Sequence, residues 1–503
     1  MNKPIRSVAI FCMVLFLALM LNVTYLQFVK ANDYNHHPGN TRSAEQAYSR
    51  ERGLILAGKK AIARSKPSGD RFKYLRVYPK PYVYAPVTGY LQLGAQTGVE
   101  HSENDILSGE DSRLFVNRLV DMLQGETNQG GNVITTIDPA AQLAGYNALK
   151  RVLGPHGEGA AVAIQPKTGK ILAMVSLPSY DPNKLASHDY NVRTKYYDRL
   201  NRNKQQPLLN RATYLRLFPG STFKVVTAAA AIENGLYNVG DEVPTGSGYQ
   251  LPGTTGSGNV VHNETGSYCD PSQVSFATAM EWSCNTAFAQ MAVKLGPEQL
   301  RKQAEAFGFN SDYLQDYSPV SQSVFPQSVT DPGAKQSREL NLAETARSGF
   351  GQFEVQATPL QMAMVSAAIG NHGKLMRPYL IDQLQTADYR TLETTQPDEL
   401  RQAVSAKTAA EVTQLMNDTV RSGTASPASI PGVQVAGKTG TAQSGVPGRP
   451  PYAWFTSFAP SNDPEVAVAV MIQSAPGTNR AEIAGGTLGG PVAKAMMEAV
   501  MNK

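Results

Sequence analysis

FPGSTFKVVTAAAAIENG, residues 218–235, begins as a turn and becomes an alanine-rich helix. Phe218, Pro219 and Gly220 make the turn, Ser221 takes the N-cap or first helical position, and Gly235 ends the helix that Val225 to Asn234 continue. Lys224 lies one turn on, on the same face as Ser221. A serine hydroxyl is a poor nucleophile unless its proton is removed, and a lysine amine removes it only when burial or a neighbouring cation lowers its pKa. A helix N-terminus also aims backbone amides at the place where an oxyanion would form. Alone, the S-x-x-K spacing is better read as an N-cap serine followed by a solvated lysine.

Two further elements, in order, change that reading. AMEWSCNTAFAQMAVKLG puts Ser283 and Asn285 in a turn before an amphipathic helix, and GVQVAGKTGTA presents Lys438, Thr439 and Gly440 at the end of an apolar strand. Each has a decoy. Ser257 and Asn259 also spell S-x-N, but in a glycine-rich loop with no helix after it, and Lys167, Thr168 and Gly169 spell K-T-G at a hairpin tip before the serine. Order and local context single out one set, which resembles the S-x-x-K, S-x-N and K-T-G elements of the penicillin-recognising serine transferases and hydrolases. On this reading Ser221 attacks an acyl carbon while Lys224 takes its proton, and Lys438 nearby helps keep Lys224 neutral. Ser283 relays a proton to the leaving amine, and Asn285 holds the substrate amide and Lys224. Gly440 allows close approach of substrate backbone, hydroxyls of Thr439 and Thr441 accept a terminal carboxylate, and the amides of Ser221 and Thr441 form an oxyanion hole.

The flanking segments predict an α+β domain. AAVAIQ and ILAMVS flank the turn PKTGK as a hairpin, and GVQVAGKTGTAQ, AWFTSFAP and EVAVAVMIQ give three later strands before the helix PVAKAMMEAV. A five-stranded antiparallel sheet with strands from both ends of the domain is expected, covered by helices and joined by an all-helical subdomain from the intervening chain. The region from Asn32 to about Gln129 is polar, irregular and rich in Tyr, Pro and Gly, and reads as strands and loops. At 503 residues, 42% of them hydrophobic, more than one globular part is expected. The net charge of +5 is mild and no basic run rises out of it, so nucleic-acid binding has no support; the seven histidines show no ligand spacing, and no metal or cofactor is assigned.

Lys3 and Arg6 precede an apolar run from Val8 to Leu21, and no charge falls between Arg6 and Lys30. At about 1.5 Å rise per residue such a helix crosses a hydrocarbon layer of roughly 30 Å. The leading cations favour an N-terminus in the cytoplasm, with everything after Lys30 outside the cytoplasmic membrane.

With the anchor, SRERGLILA, TTID, GKILAMVSLPSYDPN, LNRATYLRLFPGSTFKVV, SCNTAF, GKTGTAQ and AWFTSFAP all in order, the chain resembles a class B penicillin-binding protein over nearly its whole length, in detail the actinobacterial penicillin-binding protein A group. The resemblance implies a membrane-tethered D,D-transpeptidase that crosslinks peptidoglycan stems ending in D-Ala-D-Ala and is acylated by β-lactams. The implied organisation is a cytoplasmic tip and anchor (1–31), a non-catalytic pedestal (32–154) and a transpeptidase domain (155–503). A membrane glycosyltransferase and other wall-assembly proteins are the implied partners, because fewer than two hundred residues precede the catalytic domain. A serine β-lactamase, a D,D-carboxypeptidase and a non-catalytic β-lactam sensor or scaffold share the pocket elements and stay open as alternatives.

Cys269 and Cys284, the latter in the middle of the S-x-N element, lie on the outer side of the membrane. They either form a disulfide, whose closed segment of about 15 residues would stabilise by roughly 3 kcal/mol, or remain two buried thiols.

Overall fold

A computed structural model describes residues 3–35, 48–92, 95–114, 129–264, 266–331, 333–334 and 336–502. Parts of the expected pedestal, residues 36–47 and 115–128 among them, lie outside the described residues.

The chain starts with α1 (Lys3–Thr24), continued by one π-helical turn over Tyr25–Val29. None of its side chains is buried among the described residues: Phe11 is 64% and Phe16 69% exposed. A helix of this length and composition, buried against no protein, fits a single-pass membrane anchor.

Next come strands β1 (Ile55–Ala57), β2 (Lys60–Pro67), β3 (Tyr74–Val77) and β4 (Asn132–Thr135), then helix α2 (Pro139–Leu153). Asp138 caps α2 by accepting from Ala140 N and Ala141 N at 2.7 and 3.1 Å, and Pro139 opens it where no donor is needed. The hairpin β5 (Glu158–Ile164) and β6 (Ile171–Leu177) follows. After it come α3 (Lys224–Glu233), α4 (Asn285–Ala306, broken at Gly296) and α5 (Pro359–Gly370), joined by long loops and by two short ribbons, Gly248–Gln250 with Val260–His262 and Glu242–Pro244 with Gln273–Ser275, so the intervening chain carries strands as well as the expected helices. Strands β7 (Ile381–Gln385) and β8 (Thr391–Thr394), helix α6 (Ala406–Arg421), strands β9 (Ala436–Ala442), β10 (Tyr452–Ala459) and β11 (Val466–Ser474), and helix α7 (Gly490–Met501) complete it.

The α+β expectation holds. One sheet has five antiparallel strands in the order β9-β10-β11-β5-β6, so the early hairpin and the three late strands close into one layer. Helices α2 and α7 cover one face and α5 the other, which is why its strands are buried on both faces and read as unbroken apolar runs. Helices α3 and α5 are buried all round, and the alanines of α3 let its neighbours approach closely.

The second sheet runs β8-β7-β4-β1-β2-β3. Its strands β7 and β8 come from beyond α5, far along the chain; β7 pairs with β4 next to the N-terminal strands, and β8 pairs with β7 at the edge. Beneath it lies a closed ionic cluster. Arg52 Nε and Arg76 Nε donate to the two oxygens of Glu100 at 2.7 and 2.6 Å, and Tyr78 donates to the same carboxylate at 3.1 Å. All three charged residues are at most 3% exposed.

Candidate active site

The turn before α3 is held from behind. Gly220 N donates to Gly351 O at 2.9 Å, and Leu217 and Ala357 exchange backbone bonds at 3.1 and 2.9 Å. Gly220 has φ of +54°, and a Cβ there would stand 2.6 Å from Thr441 O, so turn and strand touch at this point. Ser221 sits in a 3₁₀ turn, Gly220–Phe223, and is partly exposed. Its N–H belongs to a first turn whose amides have no intrahelical acceptor.

Lys224 is wholly buried at the start of α3. Its Nζ donates to Ser283 O at 2.8 Å and to Asn285 Oδ1 at 2.7 Å, and lies 3.1 Å from Ser283 Oγ. The Phe288 ring centroid is 5.4 Å away. A neutral amine has two hydrogens and one lone pair. Two carbonyl-type acceptors take both hydrogens here, which leaves the lone pair for a hydroxyl proton. Burial first, then the charge of Lys438, holds the Lys224 amine well below its ordinary pKa, against an opposing pull from Glu264. Lys438, also wholly buried, is lowered by burial to about 7, and Glu264 again opposes.

Ser283 has φ of +58°, a left-handed conformation that costs a non-glycine residue on the order of 1–3 kcal/mol and tends to persist at functional sites. Cys284, the next residue, is joined to Cys269 by a disulfide, Cα to Cα 5.5 Å. Asn285 opens α4, and its amide orientation is set from both ends: Nδ2 donates to His262 O at 3.0 Å while Oδ1 accepts from Lys224.

Lys438, Thr439, Gly440 and Thr441 lie on β9, an edge strand of the five-stranded sheet. Side chains alternate along it. Lys438 Nζ donates to Thr439 O at 3.1 Å, and the Thr439 hydroxyl is 2.8 Å from Thr424 Oγ1. A Cβ on Gly440 would stand 2.9 Å from Pro219 O and 3.0 Å from Thr222 N. Glycine here therefore makes room for the turn bearing Ser221, a reason different from the expected approach of substrate.

All five residues expected to act chemically, Ser221, Lys224, Ser283, Asn285 and Lys438, belong to this one junction of turn, helix and edge strand. The decoys fall elsewhere. Ser257 and Asn259 form an exposed 3₁₀ turn, and Lys167 pairs on the surface with Asp463 at 2.5 Å. Sequence reasoning missed Thr424, Gly351 and Glu264, none of which belongs to a recognisable motif, and gave no role to Phe288, the last residue of SCNTAF.

Two family descriptions match the chain: the penicillin binding protein transpeptidase domain over residues 159–498 and the penicillin binding protein A dimerisation domain over residues 52–133. The peptidoglycan D,D-transpeptidase PbpA of Mycolicibacterium smegmatis is 41% identical over 507 residues, covering 100% of both chains. That of Mycobacterium tuberculosis is 41% identical over 505 residues, covering 100% of this chain and 99% of the relative. Among solved structures, the penicillin G acyl-enzyme complex of penicillin-binding protein A from M. tuberculosis aligns with a TM-score of 0.81 and 40% identity, over 90% of this chain and 100% of that one.

Proposed function

For a chain that belongs to the penicillin-binding protein transpeptidase family, we propose the following reaction and assignment of roles. The protein is a peptidoglycan D,D-transpeptidase, a serine acyltransferase acylated by β-lactams. Ser221 Oγ attacks the carbonyl carbon of the penultimate D-alanine, and Lys224 takes the hydroxyl proton. The amides of Ser221 and Thr441 stabilise the oxyanion. The C–N bond to the terminal D-alanine breaks, with Ser283 passing a proton to the leaving nitrogen. Asn285 holds the substrate amide, and Thr439 and Thr441 receive the terminal carboxylate. An amine from a second stem then attacks the acyl-serine ester, and the proton path reverses.

The observation that carries this reading is the Lys224 amine, buried and bonded to both Ser283 and Asn285. Incubating the chain with a labelled penicillin and mapping the adduct tests it. A label on the peptide containing Ser221 is expected, and a label elsewhere sinks the assignment. Release of D-alanine with equal rate in the presence and absence of an amine acceptor would favour a carboxypeptidase.

The proposed organisation is an anchor at 1–31 with its N-terminus in the cytoplasm, a pedestal at 32–154 and the transpeptidase domain at 155–503. The exchange of β7 and β8 supports a rigid mounting of one on the other. A membrane glycosyltransferase is the proposed partner that supplies nascent glycan.

A further inference from the structure

The attacking amine poses an electrostatic problem that the motifs leave unsolved. An alkyl amine has an ordinary pKa near about 10.4, so in neutral solution it arrives as an ammonium. It must approach a site lined by two wholly buried lysines, which offer it no counter-charge. An anion at the mouth of the site is needed to receive it.

Glu264 fits that place. It lies in the loop that the site itself suspends: Asn285 Nδ2 bonds His262 O at 3.0 Å, and Asn263 accepts from Thr286 N at 3.1 Å and donates to Gly246 O at 2.8 Å. Both His262 and Asn263 are thus tied to the first turn of α4. Glu264 follows them, is exposed, and makes no hydrogen bond or ion pair among the described residues. Its charge acts on both Lys224 and Lys438. In the same loop, half-exposed Tyr268 lies flat on Trp282, centroids 3.7 Å apart, and Trp282 directly precedes Ser283. That stack offers an apolar wall for a methylene arm, and Glu264 a carboxylate for the ammonium at its end.

We infer that Glu264 binds the ammonium of the acceptor stem and directs it to the acyl-Ser221 ester, an inference that rests on the transpeptidase reading above. The bound ammonium releases one proton to water. Its nitrogen then forms a bond to the ester carbonyl carbon, the bond from that carbon to Ser221 Oγ breaks, and a second proton passes from nitrogen to the serine oxygen. The products are an amide and the free hydroxyl.

The test separates the two half-reactions in the full-length chain. Acylation is followed with a labelled penicillin. Transfer is followed with a D-alanyl thioester donor and Nα-acetyl-lysinamide as acceptor, counting amide product against hydrolysis. In E264Q, loss of the opposing pull moves the Lys224 pKa further down, so penicillin acylation on its pH plateau should stay within about twofold. The acceptor KM should rise about tenfold, the size of one charge-assisted contact, with product shifted toward hydrolysis; E264D should restore part of the loss. An unchanged acceptor KM in E264Q overturns the inference, and so does a loss of penicillin acylation as large as the loss of transfer, because Glu264 would then act only on the lysines. Absence of any adduct on the unmodified chain would overturn the transpeptidase reading, and the inference with it.

Discussion

The molecule buries charge in two places and treats it in opposite ways. Under the N-terminal sheet, Glu100 sits between Arg52 and Arg76. Burial pushes its carboxyl pKa up, but the charges and hydrogen bonds of Arg76 and Arg52 outweigh burial and hold it below the ordinary value. At the junction of α3 and β9, Lys224 and Lys438 are buried just as completely, with each other for company and exposed Glu264 opposing. There burial wins and both amine pKa values fall. Burial decides the charge state unless opposite charges are buried against the group, as the two guanidinium groups are against Glu100. The first arrangement keeps a buried carboxylate charged, and the second favours a neutral amine, as the proposed base requires.

Removing the nucleophile should produce the largest effect on this contrast. Ser221→Ala is expected to abolish the penicillin adduct, with the rate down by about 10⁴-fold or more, while urea unfolding stays close to that of the unmodified chain. A variant that still acylated would mean that the neutral amine serves another hydroxyl. Glu100→Gln should do the reverse. Leaving two guanidinium groups without their anion is expected to cost about 3–5 kcal/mol, read as a lower urea midpoint, with the acylation rate of the folded protein unchanged. The pH arm follows from the sign of the shift: the contribution of Glu100 is complete above the unfolded carboxyl value of about 4.3 and should vanish as pH falls through the lower folded value. Stability that rose on acidification through this range would break the comparison.

Lys438→Gln probes the like-charge half. The charge of Lys438 lowers the Lys224 pKa, so without it that pKa should move up and the acid limb of the acylation profile should shift to higher pH. The rate on the plateau should also fall by about 10²-fold. A limb that stayed put, or moved to lower pH, would show that burial alone holds Lys224 neutral. The smallest effect belongs to Lys167→Ala. This lysine shares the K-T-G spelling but is solvated and paired on the surface, so changes within about 0.5 kcal/mol in stability and no change in acylation are expected.

Much of the fold was legible locally. The hairpin around PKTGK, the three late strands and the anchor each carry their own period or length. The destination of β7 and β8 was not, because a strand pattern says that a segment wants neighbours without saying which. Helix α2 shows the same limit: its apolar face is legible, yet only packing reveals that it pairs with α7, hundreds of residues later, over the five-stranded sheet. In the candidate site, the residues that carry chemical groups could be read from three spaced motifs. The supports could not. Thr424 touches Thr439 through a single hydroxyl, and Gly351 backs Gly220 through a single carbonyl, and neither contact leaves a spacing to recognise.

By itself the amino-acid sequence determined which segments turn, coil or extend, which run can enter a membrane, and which side chains are capable of acyl transfer, since these follow from short-range sterics, hydropathy and the chemistry of single groups. Only the tertiary structure decided that Lys224 and Lys438 are sealed from water beside each other while Lys167, which shares the K-T-G spelling, stays wet. Proton affinity depends on solvent access and on charges a few ångströms away, and those distances are set by segments that meet across hundreds of residues.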